Sequence, residues 1–373
     1  MSSREKQLPE FWPENPPIYD IEKSYTENLD LGPFFAGEIP ERKTPPKHEW
    51  IEFLGVPVAS PIGVPAGPLL NSRWVTFAAQ MGFDIVTYKT IRSRPHPAHP
   101  LPNMLYIDTK GAFHPDRGEE VLHPQKNPPS SLADLAATNS FGIPSKDRDY
   151  LVQDIAKAGG SLAPGQVMIV SVVGTPRPEE DFFEDFVEAT RIALDGGAKI
   201  VEADLSCPNV ASREGSLFTD PEAIYPICTK MKKILGSRPL IIKVGVIHER
   251  EVMRKVLLAS QKAGVDGFCG INTVSRKIEN LDGTPTLGEK RHRAGVCGGP
   301  IRPVALDFLQ KARSLIEEEK LDLTLMGTGG VTEPTHFDDF FLAGADVAMS
   351  AVGMMWDPYL AARYHQKGGK RWK

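Results

Sequence analysis

Cysteine is scarce in this chain and poorly placed for metal chemistry. Its four cysteines, Cys207, Cys228, Cys269 and Cys297, contain no C-x-x-C pair, and no histidine stands at zinc-ligand spacing from them. That argues against a structural zinc site and against a disulfide framework. No iron–sulfur cysteine set and no dinucleotide fingerprint occur either, so the chain offers no evident site for a cluster or for NAD. Long apolar runs are missing: each is interrupted within about ten residues, too short to span a bilayer. There is no basic excess, since 43 Lys and Arg face 48 Asp and Glu for a net charge of −5. Nucleic acid and anionic lipid are therefore not expected partners. The opening residues Met1–Lys6 are not followed by an apolar stretch of signal-peptide type. The expected location is cytoplasmic, with reduced thiols.

What is present reads as an ordinary globular composition. Of 373 residues, 41% are hydrophobic and 24% charged, with 33 glycines and 33 prolines. These values exclude a collagen, a coiled coil and a wholly disordered chain. Residues 1–50 differ from the rest, with eight prolines and scattered aromatics such as Phe11, Trp12, Tyr19, Phe34 and Phe35. Proline at this density blocks regular helix. The segment reads as an irregular arm whose aromatics clamp it to the body; a partner-binding tail is the other reading.

From residue 51 onward short β-branched runs alternate with longer helical patterns. Eight strands are expected at Pro61–Pro65, Asp84–Lys89, Val167–Val173, Ile200–Leu205, Leu240–Val244, Gly267–Asn272, Leu323–Met326 and Val347–Ser350. Helices are expected at Ser72–Met81, Lys146–Ala158, Glu179–Leu194, Pro221–Leu235, Glu251–Ala263, Pro303–Glu319 and Pro334–Leu342. Eight alternations predict an α/β fold of the TIM (β/α)8 barrel class over 51–373; doubly wound sheets usually stop at five to seven strands. The connection over 90–166 breaks the rhythm and is expected to be a lid or small subdomain. It contains Pro95-His96-Pro97-Ala98-His99-Pro100, where a metal chelate would have to form between constraining prolines.

A TIM barrel carries its site at the C-terminal ends of its strands. There the chain places Ala66-Gly67, small enough to let a flat ring approach the backbone. Lys89 and Lys243 each close an apolar strand. A lone strand-end lysine is usually a solvated rim residue, but two at a barrel mouth call for an anionic partner: a phosphate, a carboxylate or a reduced flavin. Gly327–Gly330 and Ser350-Ala351 supply backbone amides where loops after strands seven and eight meet, the recurrent phosphate position of the fold. Cys297-Gly298-Gly299-Pro300 could add amides to the same anion. Cys207 stands in a strand-to-loop turn, where it is either a small packing hydrophobe or a thiol poised as base or nucleophile. Cys228, Cys269 and Cys297 read as packing residues.

The ordered set Ala66-Gly67, Lys89, Asn139-Ser-Phe-Gly-Ile-Pro144, Leu205-Ser-Cys-Pro-Asn209, Lys243, Asn272-Thr273, Gly298-Gly299, Gly327-Thr-Gly-Gly330 and Ser350-Ala351 resembles the dihydroorotate dehydrogenases of the cytosolic, cysteine-base type. It also resembles the flavin barrel of dihydropyrimidine dehydrogenases. The resemblance covers about residues 51–365. It implies FMN as cofactor and oxidation of dihydroorotate to orotate in pyrimidine biosynthesis, with an electron acceptor left unidentified. It implies that Cys207 removes the C5 proton while a hydride from C6 goes to flavin N5. It implies that Lys243 stabilises the reduced flavin, and that Ala66, Gly67, Lys89, Thr90, Thr273, Gly298, Gly299, Gly329, Gly330, Ser350 and Ala351 hold the cofactor. The substrate would meet Lys89, Asn139, Ser140, Phe141, Gly142, Asp204, Asn209 and Asn272. It also makes a homodimer an expectation.

Two positions depart from the family pattern. Asp204 stands where the family has asparagine, and Ser145 stands where the cytosolic class tends to have asparagine. An ionised carboxylate accepts but cannot donate, and it repels the carboxylate of orotate. Three readings follow for Asp204: protonation by burial, pairing with Lys243, or a different substrate such as an uncharged dihydropyrimidine or other cyclic amide. From another class comes a barrel that binds flavin or phosphate without catalysis; the presence of Cys207 argues against it.

Overall fold

The computed structural model describes residues 8–206 and 217–368. The arm carries one short helix, α1 (Tyr25–Leu31), which corrects the expectation of no regular helix there. The reason is local: no proline falls between Pro17 and Pro33. Ser24 and Glu27 form a capping box, each side chain accepting the other's backbone N–H. Fully buried Asn28 ties the arm to itself, accepting from the Asp20 amide at 2.8 Å and donating to the Asp20 carbonyl at 2.9 Å. The aromatics do clamp the arm. Phe35 lies 5.0 Å from Phe77 and 5.7 Å from Tyr359, and Phe11 stacks on Phe35 at 5.6 Å.

The antiparallel hairpin of β1 (Ile51–Phe53) and β2 (Val56–Val58) comes next. The body begins with β3 (Ile62–Val64), α2 (Ser72–Gln80) and β4 (Ile85–Ile91). Three strands, β5 (Met104–Asp108), β6 (Val121–Pro124) and β7 (Ala136–Asn139), then precede α3 (Arg148–Gly160). The alternation resumes with β8 (Val167–Val172), α4 (Phe182–Asp195), β9 (Ile200–Asp204), α5 (Pro221–Leu235), β10 (Leu240–Lys243), α6 (Arg250–Lys262) and β11 (Gly267–Gly270). Two further strands, β12 (Val274–Ile278) and β13 (Arg293–Gly298), lead into α7 (Arg302–Glu318). The chain closes with β14 (Thr324–Thr328), α8 (Pro334–Leu342), β15 (Val347–Met349), α9 (Val352–Trp356) and α10 (Leu360–Gln366).

Strands β3, β4, β8, β9, β10, β11, β14 and β15 pair in parallel in that order and close on themselves. All eight expected strands are present, and the (β/α)8 barrel stands. Helix α4 starts at Phe182 rather than Glu179. Glu179 takes a left-handed φ of 63° and Asp181 caps the helix by accepting from the Phe183 amide at 2.9 Å. Sequence patterning did not reveal that β5, β6, β7, β12 and β13 join into a second, smaller sheet. Its members come from the 90–166 connection and from the segment after β11.

Side-chain alternation assigns layers inside the barrel, because residues two apart on a strand share a face. Ile85, Ile169, Ile200, Ile241, Met326 and Met349 pack with Phe53 and Val58, so the β1–β2 hairpin plugs one end. Each such buried side chain contributes about 1.5–3 kcal/mol. Two residues further along the same faces stand Thr87, Ser171, Glu202 and Lys243. Lys89 and Asp204 follow at the C-terminal ends of β4 and β9.

Candidate active site

One cavity lies at the C-terminal ends of the barrel strands. It brings together Ala66, Gly67, Lys89, Thr90, Asn139, Phe141, Gly142, Asp204, Lys243, Asn272, Thr273, Gly298, Gly329, Gly330 and Ala351, positions separated by up to 285 residues in the chain. Three expected members do not line it. The Ser140 amide donates to Asn103 and its hydroxyl meets His99. The Gly299 amide donates to the Leu135 carbonyl at 2.9 Å, which corrects its expected share in an anion site. Ser350 is buried, with its amide on Gly63 and its hydroxyl donating to Val331 at 2.7 Å. Cys207 and Asn209 lie outside the described residues.

Both lysines are buried, at 6% and 3% exposure. The Lys89 ammonium donates to the Pro144 carbonyl and lies 5.0 Å from the Tyr25 ring centre. Burial pushes Lys89 down to about 7, and the positive charges of Arg92 and Lys146 add to the effect. The Lys243 ammonium reaches the Ala66 carbonyl at 3.3 Å. Asp204 is in register with Lys243 across the β9–β10 ladder, yet no ion pair joins them. Instead Asp204 accepts from Thr90 at 3.2 Å and from the Ser206 amide and hydroxyl at 3.1 and 2.9 Å. The Asn272 amide group donates to the Ser206 carbonyl at 3.2 Å.

The loop 139–145 is pinned from one side by the Pro/His stretch. Arg92 donates to Ile143 at 3.0 Å; His96 and Ser145 exchange backbone bonds at 2.9 Å; His99 donates its amide to Phe141 at 3.0 Å. Ser145 also accepts from the Arg92 amide through its hydroxyl. His96 and His99 are thus loop anchors, and no metal-binding cluster occurs among the described residues. Gly142 has φ +82°, and a Cβ there would meet the His99 ring at 2.7 Å.

The far side of the cavity suits a phosphate. Among the described residues, the backbone amides of Gly329, Gly330, Val331 and Ala351 donate to no protein acceptor. Gly330 has φ +91°, and a Cβ would come within 2.7 Å of the Arg302 amide, so only glycine fits the turn. Gly67, at φ +130°, has open space where a Cβ would stand. Bare amides at one end and an uncovered backbone at the other fit a flat ring with a phosphate tail.

A family model described as dihydroorotate dehydrogenase matches residues 126–367. The dihydroorotate dehydrogenase of Dictyostelium discoideum is 49% identical over 364 residues, covering 95% of this chain and 98% of that protein. This chain belongs to the dihydroorotate dehydrogenase family. Members are flavin-dependent oxidoreductases acting on a CH–CH bond, the oxidation of dihydroorotate in pyrimidine biosynthesis. The NAD-dependent dihydropyrimidine dehydrogenase subunit PreA of Escherichia coli K12 is more distant, at 29% identity over 52% of this chain and 46% of that protein. The crystal structure of an Eimeria tenella dihydroorotate dehydrogenase in complex with ferulenol shares the fold, with a TM-score of 0.67 at 17% identity over 91% of this chain and 87% of that one. No helix among the described residues is long and apolar enough to cross a membrane.

Several wall residues were not foreseen from the sequence. Tyr19 and Tyr25 reach the cavity from the arm, and Met104 from the small sheet. Cys297, expected to be packing alone, also lines the cavity; burial pushes its thiol up to about 12, which disfavours the thiolate. The aromatic content of the arm was the one available signal for Tyr19 and Tyr25.

Proposed function

We propose that the flavin of this family member is FMN, that its substrate is dihydroorotate, and that Cys207 is the proton-abstracting base. The observation that carries this reading is the convergence of Lys89, Lys243, Asn139 and Asn272 with the bare amides of Gly329, Gly330 and Ala351 on one cavity. Gly329, Gly330 and Ala351 would hold the phosphate, and Ala66 and Gly67 would lie against the ring. Bound FMN would supply the two-electron acceptor, the electron pair arriving as the hydride that leaves C6 of the substrate for flavin N5. Lys243, in the same cavity, would stabilise negative charge developing on that ring. Asn139 and Asn272 both donate and accept, which matches the imide edge of a pyrimidine. Lys89 faces the same space and pairs with a carboxylate. The C5 proton is acidified by the neighbouring carbonyl, and Cys207, three residues after the cavity-lining Asp204 in the chain, removes it. A second substrate must then reoxidise the cofactor.

An uncharged dihydropyrimidine is the rival substrate, favoured by the Asp204 carboxylate in the wall. Anaerobic mixing with each compound, followed by visible flavin absorbance, separates them. Bleaching by dihydroorotate is expected. Bleaching by dihydrouracil alone would overturn the substrate, and absence of flavin from the purified protein would overturn the whole reading. Cys207→Ala should retain flavin and lose about 10²–10⁴-fold in turnover; unchanged turnover removes the thiol from the mechanism.

A further inference from the structure

The arm carries more than packing. Tyr25 stands on α1, oriented by the Ser24–Glu27 capping box and by Asn28 one turn later. It is 5% exposed and lines the cavity together with Tyr19. Its ring centre lies 5.0 Å from the Lys89 ammonium and 5.5 Å from the Phe141 ring; Tyr19 lies 5.5 Å from the same Phe141. The Tyr25 hydroxyl is buried with no hydrogen-bond partner among the described residues. The ring face is therefore the part that meets charge.

We propose that Tyr25 is a positioning residue for substrate binding: its ring face holds the Lys89 ammonium charged and in place at the cavity wall, so that the N-terminal arm completes the anion-binding end of the barrel site. Lys89 has few other means of staying charged. It is buried, its one protein acceptor among the described residues is the Pro144 carbonyl, and the charges of Arg92, just past the end of β4, and Lys146 beyond the loop oppose its protonation. Asp204 and Lys243 line the same cavity from β9 and β10, but Asp204 forms no ion pair with Lys89 among the described residues. An aromatic face offers negative quadrupole density without adding a carboxylate that would repel an anionic substrate. Assignment of that anion as the substrate's carboxylate rests on the function proposed above; the effect of Tyr25 on Lys89 does not.

The test varies the ring's electron density at constant shape. Tyr25→Phe is the reference, and the same position is filled with mono-, di- and trifluorinated phenylalanine, each fluorine weakening the negative face. Purified proteins are labelled with trace acetic anhydride across pH, and the acetylation midpoint of the peptide containing Lys89 is read by mass spectrometry. The midpoint should be the same in wild type and Tyr25→Phe, then fall stepwise with fluorine, by about one pH unit in total. A flat series, or a midpoint that rises, overturns the proposal. Since no substrate is used, a failure of dihydroorotate to bleach the flavin would count against the function alone.

Discussion

The Asp204 carboxylate and the Lys243 ammonium occupy paired positions on β9 and β10 and face one cavity, yet they do not bond to each other. Asp204 is met by three donors, from Thr90 and Ser206, and Lys243 by the Ala66 carbonyl. The carboxyl group is therefore built into the wall as an acceptor, and the lysine faces the cavity without a carboxylate partner among the described residues. Of the readings the sequence left open, pairing with Lys243 is the one the geometry excludes.

Asp204→Asn removes a negative charge from the wall and keeps one acceptor oxygen. KM for dihydroorotate should fall about three- to tenfold, as expected for relieving roughly 1 kcal/mol of like-charge repulsion. Flavin content should not change. Steady-state kinetics on the two proteins decide it; an unchanged KM would mean that residue 204 presents no negative charge to the substrate.

Glu202 lies two residues before Asp204 and is fully buried, its carboxyl beside the Ser171 hydroxyl and the Cys269 thiol. Burial pushes its proton affinity up, opposed by Lys243 and reinforced by Asp204. A carboxyl that holds its proton more tightly when folded contributes stability below its unfolded value, about 4.3, and loses it as pH rises through the folded one. Glu202→Gln, always neutral, should therefore match wild type in melting temperature near pH 4 and exceed it increasingly toward pH 8. A constant difference across that range would contradict the buried charge.

Gly330→Ala places a Cβ against the Arg302 backbone at a left-handed φ. The expected cost is about 1–3 kcal/mol of local strain, concentrated at the amides proposed to hold phosphate. The ratio of flavin to protein after purification should drop more than twofold while the circular dichroism spectrum is retained. Full flavin occupancy would move the phosphate elsewhere.

The eight barrel strands and most of their helices were legible because each is encoded locally. Ile200-Val-Glu-Ala-Asp204 announces a buried strand by its own composition, and Pro221–Leu235 announces a helix by its cap, its proline at the first turn and its apolar spacing. Strand-end residues such as Lys89, Lys243 and Asn272 were legible as site candidates for the same reason, since the barrel's geometry sends every strand's C-terminal end to one mouth. By itself, then, the sequence determined the fold class, the order of the strands and the chemistry available at their ends.

Only tertiary structure decided which of those groups remain available to a ligand. Gly299 and Ser350 looked like anion donors, but Leu135, Gly63 and Val331 take their hydrogen bonds. The prolines around His96 and His99 argued against a chelate but gave no other role, and the two residues brace the loop 139–145 through their backbones. Tyr25 looked like part of a packing arm and covers Lys89. Each of these outcomes depends on a partner tens to hundreds of residues away, and no local pattern encodes which distant backbone group will satisfy a donor or which ring will cover a charge.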